Sequence, residues 1–338
     1  MKKTFVFALA GIVLCCASCN KEISPVAQET VKSGDASVIV NIKGALGTKA
    51  DVYQSEDESK VASLYVGVYD AEGKLEKKMS YTTDAQARIG TNIVYTGLAE
   101  GEKTICVCAN IDDFVMPELL NSTETVVGFN GTKVNLAQNS RTNFVMAGKV
   151  KANANDSPTA VEVPLQRVVA KFVVDGNISV DWVGDAPASF DITDIYVANA
   201  SIDSDFSFGG TVGNFINVRT STDLTNVSEY RNLTVASKTS WTVGKPFNAT
   251  GAFLYAMPNS TSTRTAIIIK AKYEGRVCYY PLKIDTAIKN NTLYHIGDIT
   301  ITCEGNETPE PDFDKVLVNF SVKVQDWTFN DIIPSYEF

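Results

Sequence analysis

The sequence is short of the residues that chemistry usually needs. It has one histidine, His295, in 338 residues. Any Ser-His-acid or Cys-His site would have to use it, and no Gly-x-Ser-x-Gly motif lies nearby. His295 alternates with Leu293 and Gly297 in a strand-like run, the setting of a cross-strand or surface histidine. There is no Gly-x-x-x-x-Gly-Lys loop and no strand leading into Gly-x-Gly-x-x-Gly, so the usual phosphate cradles are missing and no cofactor is expected. Basic residues are outnumbered, 30 against 39 acidic, for a net charge of −9. Such a chain is a poor partner for nucleic acid and for anionic membrane surfaces. No apolar run reaches the ~20 residues that span a bilayer.

Cysteine is also scarce where it could staple a fold. Of seven, Cys15, Cys16 and Cys19 lie in the first twenty residues, leaving Cys106, Cys108, Cys278 and Cys303. Four cysteines allow three pairings. Cys106 and Cys108 share a face of one strand, where an i to i+2 bridge is geometrically awkward. Cys-x-Cys is not a usual zinc spacing, and no histidine is near. Small buried hydrophobes are the expected reading.

What is present begins with the N-terminus. Lys2 and Lys3 precede an apolar stretch from Phe5 to Ser18, too short for a membrane helix and suited to a secretory signal. It ends Cys16-Ala17-Ser18-Cys19, which resembles a bacterial lipoprotein signal. Residues 1–18 would then be removed and Cys19 lipidated, several acyl chains giving stable anchoring.

Hydrophobic residues make up 44% and charged residues 20%, enough to build packed cores. Almost no segment keeps a helical period over ten residues. Period-two alternation recurs instead. Ala36, Val38, Val40 and Ile42 alternate with Ser37, Asn41 and Lys43. Further strands are expected at 61–69, 75–81, 93–98, 104–110, 143–151, 161–174 (broken by Pro164), 190–198, 253–257, 265–273, 277–284 and 293–303. Val316, Val318, Phe320, Val322 and Val324 form a closing strand behind the acidic connector 304–314. Short strands with regular turn signals point to an all-β fold of two tandem sandwiches. The polar run Ala152–Pro158 is the expected boundary, giving domains at 50–157 and 158–338. Ser55–Lys60 reads as part of a solvated linker. Asp203 and Asp205 have the spacing of Ca²⁺ ligands but lack the glycine and terminal glutamate of an EF-hand loop, so they read as solvated loop charges and no metal site is expected. Trp182, Trp241 and Trp327 suit core or interface anchors better than sugar platforms. A two-carboxylate hydrolase site is not marked out by any local context.

Several runs together resemble fimbrillins, the FimA-type major pilin family of type V pili in Bacteroidia. They are the lipoprotein box, Thr48-Lys49-Ala50, the stretch Val61–Asn110, Leu165–Lys171, Asn290–Ile296 with Ile299–Ile301, and Val322–Trp327. The resemblance implies two transthyretin-like β-sandwich domains and export to the outer membrane as a lipoprotein. It also implies removal of an N-terminal strand within the propeptide 19–49, and polymerisation by strand exchange. Partners would be other pilin subunits, a processing protease and surface ligands on host or bacterial cells, with cell adhesion as the purpose. Processing would fall between Lys49 and Ala50. The family's site usually carries arginine, and the first arginine here is Arg88, so either a trypsin-like or Lys-tolerant protease acts here or this subunit is not processed as stalk pilins are. The C-terminal segment 315–338, led by Val316, Val318, Phe320, Val322 and Val324, would be the donor strand. Asp285-Thr286-Ala287 looks like a short O-glycosylation motif. A surface glycan-binding lipoprotein is the alternative from another class.

Overall fold

A computed structural model describes residues 34–44, 56–111, 123–181, 187–208, 215–216, 230–242, 246–259, 265–308, 318–327 and 336–337. The signal region, Cys19, Lys49, Ala50, Trp182, Val316 and residues 309–314 of the connector lie outside the described residues.

Strands dominate. The first half contains β1 (Ala36–Lys43), β2 (Leu64–Tyr69), β3 (Leu75–Tyr81), β4 (Asn92–Leu98), β5 (Gly101–Ala109), β6 (Lys133–Asn135), β7 (Met146–Ala154), β8 (Ala160–Pro164) and β9 (Gln166–Arg167). The second half contains β10 (Ala170–Val180), β11 (Phe190–Ala198), β12 (Ala200–Ser201), β13 (Asp203–Asp205), β14 (Phe215–Ile216), β15 (Val235–Thr242), β16 (Pro246–Ala256), β17 (Ala266–Tyr273), β18 (Arg276–Lys283), β19 (Thr292–Ile301), β20 (Val318–Asp326) and β21 (Tyr336–Glu337). Hairpins form where turn chemistry predicts them. Between β17 and β18, Glu274 and Gly275 both take positive φ, +47° and +81°, the geometry of a tight two-residue hairpin turn.

Four main sheets stack in layers. The outer N-terminal sheet runs β4-β1-β8 and the inner one β3-β2-β5-β7-β9. Val38, Val40, Tyr95 and Val163 of the outer sheet share a core with Leu64, Val66, Ile105 and Val107 of the inner. On the C-terminal side, an inner sheet β16-β10-β19-β20-β21 packs on an outer sheet β15-β11-β17-β18, with Phe172, Leu254 and Ile296 against Ile195, Ile267 and Leu282.

The two inner sheets then pack on each other. Tyr65, Tyr69, Cys106 and Cys108 from the N-terminal side join Val173, Tyr255, Leu293 and Trp327 from the C-terminal side in one cluster. The inner strands are therefore covered on both faces. That is why every residue of Leu64–Tyr69 is buried where a half-exposed strand would alternate. It also explains the cysteine pair. Ile105 and Val107 face one core, while Cys106 and Cys108 face the other as buried free thiols.

The expected boundary at 157/158 moves. Residues 152–154 finish β7, and β8 and β9 return to the N-terminal sheets by pairing with β1 and β7. The chain crosses to the C-terminal sheets at Val168–Val169, just before β10. Pro164 ends β8, at the edge of its sheet, where a missing N–H is tolerated. A short ladder, β6 with β13, bridges the halves. It uses Asp203 and Asp205, whose carboxylates meet Asn135 Nδ2 at 2.8 Å and Lys133 Nζ at 3.3 Å. The expected solvated loop charges are thus part of the bridge between halves.

Candidate functional site

β1 occupies a slot. Its alternating sequence puts Ala36, Val38, Val40 and Ile42 into the core at 4% exposure or less, each larger side chain contributing about 1.5–3 kcal/mol by burial. The strand lies antiparallel to β4, with Val38 opposite Tyr95 and Val40 opposite Ile93. It lies parallel to β8, with Ile42 opposite Val163. Its ends are also tied. Ser37 exchanges backbone hydrogen bonds with Asn155, and Leu165 N donates to Lys43 O at 2.9 Å. Outward-facing Asn41 donates to Asn92 Oδ1 at 2.9 Å. Lys43 and Glu162 form an exposed ion pair of 3.0 Å, worth little in water. Among the described residues, β1 is the only strand that joins β4 to β8. Without it the two would face each other across about 9.5 Å, two strand spacings, over an apolar floor.

The far end of the linker that follows β1 is held by a buried charge cluster. Glu58, in a 3₁₀ turn at Glu56–Ser59, is 4% exposed. The solvated linker expected there is therefore anchored at this residue. Lys171 Nζ donates to Glu58 Oε1 and Oε2 at 2.7 and 2.9 Å, and Tyr255 Oη donates to Oε1 at 2.9 Å. Arg167 Nε donates to Glu58 O at 3.1 Å, and its guanidinium lies 4.3 Å from the Trp327 ring centre. Lys171 Nζ sits 4.6 Å from the Phe253 ring centre. Burial pulls Arg167 down to about 10 against the opposing pull of Glu58, and burial pushes the Tyr255 hydroxyl up. These are groups familiar from acid–base catalysis, but here they are enclosed between layers and serve as a joint. Sequence reasoning missed it because Glu58 stands in an acidic run with no apolar neighbour.

The proposed donor residues lie inside the chain's own fold. Val318, Phe320, Val322 and Val324 belong to β20, which pairs with β19 on one side and β21 on the other. Val318 and Val322 are buried in the C-terminal core, and Phe320 and Val324 pack against it. The period-two reading of these residues is met, with the face satisfied in cis. Trp327, just past β20, is 2% exposed and packs with Phe144 and Tyr255. It is an interface anchor and offers no sugar platform. His295 is half-buried in mid-sheet, paired with Val173 and Lys323. Thr286 is exposed. Among the described residues no group of His, Cys, Asp and Glu could hold a metal ion.

Residues 36–179 match the family described as major fimbrial subunit protein (FimA), a span that starts at the first residue of β1 and ends in β10. The resemblance expected from the sequence is met over that span. No curated protein sequence matches. Solved structures give the same fold. A candidate cell adhesion protein from Parabacteroides distasonis is 18% identical, with a TM-score of 0.64, covering 86% of this chain and 96% of its own. Another, from Bacteroides eggerthii, is 15% identical, with a TM-score of 0.65, covering 88% and 98%. The tip fimbrial protein Mfa3 from Porphyromonas gingivalis, truncated at its C-terminus, is 16% identical, with a TM-score of 0.51, covering 87% and 100%. The family match supports a fimbrial or adhesive role at the cell surface, one that implies contact with other fimbrial subunits and suggests a protein without catalysis.

Proposed function

We propose that this chain is a structural subunit of a cell-surface fimbria. It is exported as a lipoprotein through Cys19 and trimmed between Lys49 and Ala50. It then assembles by passing a strand from one subunit into the slot that β1 vacates. The observation that carries the reading is the position of β1. It is the middle strand of a three-stranded sheet, contributed from beyond the expected cut and closing a core that no other described strand closes.

Cutting at Lys49 disconnects β1 from the body. Its loss uncovers backbone N–H and C=O groups on β4 and β8, each costing about 1–3 kcal/mol when left unpaired and buried. An open edge of that kind templates another chain. The donor is the C-terminal end, and the part best placed to leave is the tail after Trp327. β21 holds to β20 by two residue pairs at a sheet edge, while β20 and Trp327 are built into the core. The tail carries Phe329, Ile332, Ile333, Tyr336 and Phe338. Main-chain pairing with pocket-by-pocket fit is how strand addition gains affinity. Donor and acceptor lie on different surfaces, so the contact runs head to tail and builds a filament.

The test is size before and after trimming. Uncut precursor should elute as a monomer, and protein cut after Lys49 should form a ladder on native gels. Cut full-length protein that stays monomeric at high concentration would remove the main support for this function.

A further inference from the structure

The slot poses a mechanical problem. Among the described residues, β4 pairs with no strand except β1. When β1 leaves, β4 has lost its whole ladder and should collapse onto the floor or fray. A subunit that must wait for a partner needs another hold on that wall.

Such a hold is present, and it is unusual. In β3, Lys77 pairs with Val68 and Leu75 with Tyr69, so Glu76 is the extra residue of a β-bulge. Bulges redirect side chains. Here Glu76 and Lys77 are both buried, at 5% and 7% exposure. The Glu76 carboxylate accepts a hydrogen bond from the backbone N–H of Ala99, in the β4–β5 turn. Its other oxygen meets Lys103 Nζ at 2.7 Å, in a pair with side-chain exposures of only 4% and 2%. Lys77 Nζ donates to the Thr96 carbonyl in β4 itself. Neighbouring Leu98 is fully buried and pairs with Ala36, the first residue of β1.

A buried ion pair is weak evidence for stability, because desolvation offsets most of the attraction and apolar substitutes often do as well. Its placement therefore asks for another reason. The opposite wall needs no such device. Gly148 in β7 lies so close to β8 that an added Cβ would stand 2.3 Å from the Pro164 carbonyl oxygen. β9 continues directly from β8 and pairs with β7.

We infer that Glu76, Lys103 and Lys77 are positioning residues that hold β4 in register with the inner sheet after β1 has gone, keeping the slot open for an incoming strand. This rests on the strand-exchange reading above. The polar groups act through backbone atoms of the wall and leave the pockets for side chains untouched, so the hold is indifferent to the donor's sequence.

The test uses the full chain with a specific protease site placed at Lys49–Ala50 and a fluorescent peptide of residues 34–44. After cutting, exchange of the peptide for β1 is followed by anisotropy. In the double variant Glu76→Leu, Lys103→Met, the uncut protein should melt within a few degrees of wild type. The cut variant should bind the peptide about tenfold more weakly, the size of effect that one lost backbone contact produces. Lys77→Met, which keeps the buried stem, should act in the same direction and decides the matter should the double variant fail to fold. Equal binding by cut wild type and cut variants overturns the positioning role while leaving strand exchange standing. An uncut variant that loses stability in proportion to its lost binding also overturns it, since the pair is then ordinary core. Cut wild type that takes up no peptide overturns the strand-exchange reading itself.

Discussion

Lys171 Nζ lies 2.7 Å from Glu58 Oε1, and that contact ties the segment following the slot strand to the inner C-terminal sheet. Arg167, from the crossover between halves, closes the same cluster over Trp327. The joint thus gathers the linker, the crossover and the end of β20 at one place. Trimming at Lys49 would free β1 on one side of the linker while Glu58 keeps the other side fixed. The damage is then confined to the slot.

The joint should be costly to break from either side. Glu58→Ala leaves the Lys171 ammonium buried without its carboxylate and removes the acceptor of Tyr255. Loss of one member of a buried pair typically costs about 3–5 kcal/mol. Urea unfolding of the variant should show a loss of that size. A loss under about 1 kcal/mol would mean that water enters the joint and that the layers are less closed than described.

Stability should fall on the alkaline side and start falling early. Burial pushes Cys106 from 9.0 to about 12 and Tyr294 from 10.0 to about 12, and raises Tyr65 and Tyr255 as well. In each case the unfolded chain ionises first. The contribution is intact below the unfolded value and is lost as pH rises toward the folded one. Arg167, lowered from 12.5 to about 10, and Lys77, lowered by burial, work the other way, but they are two groups against several. Unfolding free energy should be flat to about pH 8.5 and then drop, with each group adding up to about 1.4 kcal/mol per pH unit. A flat profile through pH 11 would contradict the burial of these side chains.

Much of the fold was legible because exposure to two environments writes itself as alternation. β1, β4 and β20 read correctly from period two. The inner strands are different, since both their faces are covered. There the alternation of Ile105 and Val107 with Cys106 and Cys108 sorts residues between two cores and carries no polar signal. The charged joints were illegible for a related reason. Glu58 sits in an acidic run, and Glu76 follows Leu75 in what looks like an ordinary hairpin edge. Only a 3₁₀ turn in one case and a bulge in the other turns the carboxylate inward, and neither has a residue signature. The run Ala152–Pro158, read as a boundary, combines a strand end with a turn. That turn leads to two more strands of the same layers.

Lipidation is tested apart from assembly. Cys19→Ala should abolish incorporation of a fatty-acid analogue and leave the precursor unanchored. Undiminished labelling would reject Cys19 as the acceptor.

The C-terminal donor is best tested by cutting the chain at two places. If the segment 315–338 served only as a donor, everything after Asp314 could be removed without harm to the domains. The structure gives β20 a different standing. It pairs along β19 from Thr292 opposite Asp326 to Ile301 opposite Val318, and it buries Val318, Val322 and Trp327. Removing it would strip an inner sheet of a strand and take the aromatic lid off Arg167. Losing a buried Trp alone costs about 3–5 kcal/mol, a large share of the ~5–15 kcal/mol that holds a domain together. A chain ending at Asp314 should therefore be unstable or insoluble, even uncut at Lys49. A chain ending at Trp327 keeps β20 and the joint, and among the described residues loses the two-residue edge strand β21. It should fold with a melting temperature near that of the full chain and stay monomeric after trimming at Lys49. It should still accept the tail of an intact subunit, because its own slot is untouched. Mixed with trimmed full-length protein, it should cap growing ladders and shorten them. If trimmed protein ending at Trp327 polymerises as well as the full chain, the tail is not the donor. β20 would then have to leave its own sheet to serve in a neighbour's.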